Sequence, residues 1–106
     1  MRRVVIVAYR PRASREDALL AAVRKHLDVL RAERLATDRP ATVLRAAGGT
    51  VVEVFEWASA DAVARAHTNA AVHTLWAEFA AAGDYVPLAD LPEARQRFAE
   101  FGPLDL

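Results

Sequence analysis

The sequence predicts one α+β domain with an antiparallel sheet, on three observations. Val4 to Tyr9 and Thr50 to Trp57 are apolar, β-branched or aromatic runs of strand length. Gly48-Gly49 stands between Ala41 to Ala47 and Thr50 to Trp57, the spacing of a two-residue hairpin. Leu19, Leu20, Val23, Leu27 and Leu30, and later Val72, Leu75, Trp76 and Phe79, recur at helical spacing. At 106 residues, a second core would leave each half with too little apolar surface, so residues 1–106 form a single domain.

The first strand, Val4 to Tyr9, is nearly unbroken in its apolar character, which predicts burial on both faces. Pro11 stops it. Ser14 with Asp17 has the form of a capping box, and it starts a helix that continues to about Leu35. Thr37-Asp38-Arg39-Pro40 is turn chemistry, after which Ala41 to Ala47 is the second strand. In the third strand, Val51, Glu53, Phe55 and Trp57 share one face and Val52, Val54 and Glu56 the other. Ser59 caps a short helix to about Ala66, and Thr68 or Asn69 caps the next, which Gly83 ends. Tyr85 to Ala89 is a fourth strand, which must lie at an edge or carry a bulge because Pro87 has no amide proton. Asp90 to Glu93 forms one more helical turn, and Phe98 and Phe101 anchor the tail.

This β-α-β-β-α-α-β order is that of a ferredoxin-like split β-α-β sandwich. Its sheet has apolar residues on both faces, and 54% of the chain is hydrophobic. A second copy packed sheet to sheet is the expected cover, so the chain should be a homodimer.

Fourteen basic and fourteen acidic residues cancel, and no basic stripe could track phosphates, so nucleic acid is not an expected partner. The absence of cysteine removes disulfides, thiolate metal sites and cysteine nucleophiles. No segment approaches the ~20 apolar residues needed to cross a bilayer. Arg2-Arg3 and the short run behind it lack the length and cleavage site of a signal peptide. Together these features predict a soluble, cytoplasmic protein without a membrane partner. There is no glycine-rich phosphate loop and no Gly-x-Ser-x-Gly elbow.

Glu53 is the residue that a plain structural reading explains least. Among Val51, Val52, Val54 and Phe55, an ionised carboxylate loses its hydration unless something pairs with it. It serves either as a general base or orienting carboxylate, or as the partner of an arginine such as Arg10 or Arg45. Glu56 faces the other way and reads as a rim charge. His67 lies at a helix end, where it either bonds a terminal carbonyl or acts as an acid, base or donor at a pocket mouth. His26 and His73 flank the buried stripes of their helices and read as surface or half-buried residues. No histidine pair has the His-x-x-x-His spacing of a helical zinc site, so no metal is expected. Tyr9, Phe55, Trp57, Trp76 and Phe79 are the aromatic candidates for a substrate pocket, beside their ordinary role as core.

The stretch GTVVEVFEWAS, followed by AVARAH and NAAVHTLWAEF, resembles the antibiotic biosynthesis monooxygenase-like family of the dimeric α/β-barrel superfamily. The resemblance covers roughly residues 3 to 90. It implies a homodimer whose two sheets form a barrel, with a pocket between sheet and helices in each subunit. It also implies oxygenation of a small aromatic, quinol or polyketide-like, by dioxygen without metal or flavin; in this sequence Glu53 or His67 would be the base, with the other orienting it or the substrate. A non-catalytic homodimer that binds a small hydrophobic or aromatic ligand would use the same residues. The family's usual carboxylate two places before the tryptophan is here Phe55. The first strand lacks the asparagine of the haem-degrading branch, which disfavours that activity.

Overall fold

Two long antiparallel strands position everything else. In the computed structural model, which describes residues 1–106, β1 (Arg3–Pro11) pairs with β3 (Val51–Trp57) so that Val5 lies opposite Phe55, Val7 opposite Glu53 and Tyr9 opposite Val51. Strands β2 (Thr42–Arg45), β4 (Gly83–Val86) and β5 (Gly102–Pro103) complete a five-stranded sheet in the order β4-β1-β3-β2-β5, antiparallel throughout. Helices α1 (Glu16–Ala32), α2 (Ala60–Ala66) and α3 (Ala70–Ala82) complete an α+β architecture compatible with the ferredoxin-like sandwich that the element order predicts. No helix is long and apolar enough to cross a membrane.

Partners across an antiparallel pair share a face, so Tyr9 joins Val51, Glu53, Phe55 and Trp57 beneath the helices. Around Tyr9 and Val51, the core is closed by Leu19 and Val23 of α1 and by Leu75 and Phe79 of α3. Around Phe55 and Trp57, it is closed by Leu27, Leu30, Leu35 and Val72. On the opposite face, Leu91 and Phe101 of the C-terminal segment pack near Ala8, Ala46 and Val52, and Thr37 and Arg39 cover Glu56. Val4 and Ile6, beyond the reach of that segment, are 58% and 50% exposed, so the expected burial of β1 on both faces does not hold within one chain.

The helix ends show which local signals act. Ser59 Oγ accepts from Ala62 N at 3.1 Å, and Asn69 Oδ1 from Val72 N at 3.0 Å, each filling a vacancy in the first turn. Ser14 does not cap α1. Its backbone is left-handed, at φ 62°, and the cap position falls to Arg15 with no side-chain hydrogen bond. At the other end, α1 stops at Ala32 rather than near Leu35. Arg34 takes φ 59°, its amide reaches Arg31 O, and the Leu35 amide reaches Leu30 O at 2.8 Å, the paired closure of a Schellman motif. Leu30 and Leu35 then pack in the same core cluster.

The turn between β2 and β3 is wider than the two residues expected. Ala46 N donates to Thr50 O and Gly49 N to Ala46 O, with Gly49 at φ 97° supplying the left-handed step. β4 is an edge strand, but it begins at Gly83 and closes before Pro87, which cannot continue the ladder. Gly83 is needed for proximity: a Cβ there would lie 2.8 Å from Arg10 O. In the tail, Phe101 is half-buried against the sheet, whereas Phe98 is 85% exposed and anchors nothing.

Candidate functional site

Three side chains from three elements converge beneath the helices. Tyr9 Oη donates to Glu53 Oε1 at 2.8 Å, and His26 Nδ1 lies 2.8 Å from the same oxygen. Glu53 is 1% exposed, and its Oε2 has no hydrogen-bond partner. The sheet register sets Tyr9 and Glu53 side by side, Glu53 being opposite Val7 and Tyr9 two residues farther along β1. His26 is brought in by α1, whose buried stripe runs Leu19, Ala22, Val23, His26, Leu27, Leu30.

Aromatic rings hold this group in place. Tyr9 stacks on Phe79 at 4.9 Å, and His26 meets Phe55 at 5.0 Å and Phe79 at 5.1 Å, both edge to face. Burial, and after it the Glu53 charge, pushes the Tyr9 phenol far above its ordinary range, so it stays a donor. A carboxylate oxygen accepts, so the contact uses Nδ1 as its donor and leaves Nε2, which bonds no protein group, as the free nitrogen of the ring. A carboxylate that fixes a tautomer and leaves the other nitrogen free is the arrangement of an oriented general base.

His26 opens onto an apolar cavity of about 320 Å³ between sheet and helices. Of the residues expected to form a pocket, Tyr9, Phe55, Trp57, His67 and Trp76 line it. Glu53 and Phe79 do not; Glu53 is bonded to Tyr9 and His26, which do line the cavity, and Phe79 packs on both rings. The cavity also takes in Tyr85, which lies beside Tyr9 at 5.4 Å and whose phenol is likewise pushed up, by burial and then by the Glu53 charge. His67 is the exposed C-cap of α2, its ring edge to face with Trp76 at 5.0 Å. No hydrogen bond joins it to Glu53, so the expected Glu53–His67 pair is not assembled in the chain.

The alternative partners proposed for Glu53 are also not formed, since Arg45 pairs with Glu16 and Arg10 makes no ion pair with it. Glu56 is not a rim charge. It is buried on the far face, where Thr37 Oγ1 donates at 2.9 Å and Arg39 and Arg2 lie at 3.3 and 3.7 Å. The Thr37 hydrogen bond, with the two arginines behind it, holds its carboxyl below the usual range. No three metal-ligating side chains come close enough to hold an ion.

His26 is the residue that sequence reasoning misplaced, and the signal was present. Spacings of three from Val23, four from Ala22 and Leu30 and seven from Leu19 put it inside the stripe rather than beside it. Comparison with protein-family models, curated proteins and solved structures gave no match.

Proposed function

We propose that this chain is a homodimeric, antibiotic biosynthesis monooxygenase-like protein that oxidises a small quinol or polyketide-like aromatic with dioxygen and no bound cofactor. The observation that carries the reading is the buried Glu53–His26 pair, which presents an imidazole to a cavity lined mainly by apolar and aromatic side chains. The base is therefore His26, with Glu53 orienting it, in place of the Glu53 or His67 expected from the sequence. His67 is left as a hydrogen-bonding group near Trp76, and Phe55, Trp57, Trp76 and Tyr9 hold the ring of the substrate.

The chemistry needs a base, a dry chamber and a substrate whose anion is a good reductant. His26 Nε2 takes a proton from an activated CH₂ or phenol, and the anion passes an electron to dioxygen. The radical pair joins as a carbon-bound peroxide. For a CH₂ flanked by aryl groups, loss of water leaves a carbonyl, with one oxygen atom in the product and the other, with both substrate hydrogens, in water. The homodimer is supported by the open end of the far sheet face, where Val4 and Ile6 are exposed side by side with half-buried Val54.

A panel of hydroxyquinols and anthrone-like compounds, followed with an oxygen electrode, tests the reading. Uptake should match substrate loss, and His26→Ala should lower turnover by about 10²–10⁴-fold while leaving binding largely intact. Binding without uptake across the panel would replace the oxygenase with a non-catalytic binding protein of the same cavity. Failure to bind any member would remove both.

A further inference from the structure

Glu53 is shared between two cavities. The aromatic chamber is lined by its partners Tyr9 and His26, whereas a second cavity of about 260 Å³, between α1, the approach to β2 and the C-terminal segment, is lined by Glu53 itself. With Oε1 occupied by both donors, the acceptor left for anything in this second space is Oε2, which is buried and unpartnered. An orphaned carboxylate oxygen at such depth calls for a donor.

The walls specify what brings that donor. Val23 and Leu27 of α1, Val43 of β2, and Leu104 and Leu106 of the tail form an apolar side for an alkyl group. Arg24, Asp28 and Arg31 also line it, but Arg31 is committed to Thr37 O and Arg39 O, and Arg24 and Asp28 are exposed and opposite in sign. The tail is the wall that can yield: Leu104 N is held to Val43 O, and β5 pairs with β2 over two residues.

We infer that this second cavity binds a small aliphatic molecule with one hydrogen-bond donor head, a primary ammonium, which enters beneath the C-terminal segment and donates to Glu53 Oε2. The ammonium is preferred to a hydroxyl because a charge-assisted hydrogen bond to a carboxylate is about twice as strong as a neutral one. Such an occupant reaches the aromatic chamber only through the shared carboxylate. The site is independent of whether the chamber catalyses anything.

The test is titration of the full chain with n-butylammonium, n-butanol and butyrate at constant ionic strength, followed by amide NMR shifts at Ala41, Val43 and Leu104. Butylammonium should saturate those shifts at least tenfold more tightly than butanol, and butyrate should not saturate them. Glu53→Gln should weaken butylammonium at least tenfold. Ala41→Leu, which fills the wall and leaves Tyr9, Glu53 and His26 in place, should abolish saturation and so covers the case in which Glu53→Gln does not fold. Equal binding of butanol and butylammonium, binding unchanged in Ala41→Leu, or no saturation by any probe would overturn the assignment.

Discussion

Tyr9→Phe is the smallest change that tests whether the buried triad is an interacting unit. It keeps the ring that stacks on Phe79 and lines the chamber, and it deletes one hydroxyl. That hydroxyl provides one of only two hydrogen bonds to a carboxylate that is 1% exposed and already has an orphaned oxygen. A hydrogen bond to a charged group contributes about 1.5–3 kcal/mol, and here no water can replace the lost donor without entering the core. The expected loss is therefore about 1.5–3 kcal/mol, a substantial part of the roughly 5–15 kcal/mol that holds a small domain folded. In a chain of this length that corresponds to a fall in Tm on the order of 10 °C. Urea unfolding at one fixed protein concentration would measure it, alongside Glu53→Gln and the double variant. The two single losses should not add, because both act on the same Tyr9–Glu53 hydrogen bond, one deleting its donor and the other replacing its charged acceptor by a neutral one. A loss below about 0.5 kcal/mol, the range of ordinary surface substitutions, would refute the argument that Tyr9 and Glu53 are coupled.

Three further outcomes are expected. The Tyr9 and Tyr85 phenols are held above their ordinary value by burial and then by the Glu53 charge. The stability they contribute is complete below about pH 10, where the unfolded phenols titrate, and falls as pH rises beyond it; Tyr9→Phe should flatten that alkaline loss in a pH series of urea midpoints. Glu56 is held below its ordinary range, so its contribution is complete above the usual carboxylate range and is lost as pH falls through its depressed value; acid unfolding of Glu56→Gln should have a shallower pH dependence. Ile6→Glu puts a charge on the open sheet face without touching the helix-side core, and light scattering should show a dimer in the parent chain and a monomer in the variant. A parent chain that is monodisperse as a monomer would remove the barrel reading.

Much of this fold is legible in the sequence because its signals are local. Ser59, Asn69 and Gly83 are read by their immediate neighbours, and Val72, Leu75 and Phe79 carry a helical period that no tertiary contact overrides. Ser14 fails as a cap because the chain leaving β1 enters α1 through a left-handed step, which depends on where the sheet ends rather than on residue type. β5 could not be read from Gly102-Pro103, since two residues become a strand only when β2 offers an unpaired edge. The site divides along the same line. The aromatic positions and the burial of Glu53 follow from strand alternation, whereas its partners sit on another strand and a distant helix. His26 was accessible through the stripe of α1, but His67, at a helix end, offered a local rationale that the structure does not connect to Glu53.

The central claim is that His26, set by Glu53, removes a proton from a ring bound in the aromatic chamber. The most direct measurement is the absorption spectrum of an anthrone-like ligand bound without dioxygen, at a pH well below the ligand's own titration. The parent chain should convert the bound ligand to its anion, and His26→Ala should bind it without that conversion. A bound ligand that stays neutral in the parent chain, or an anion of equal yield in His26→Ala, would contradict the account.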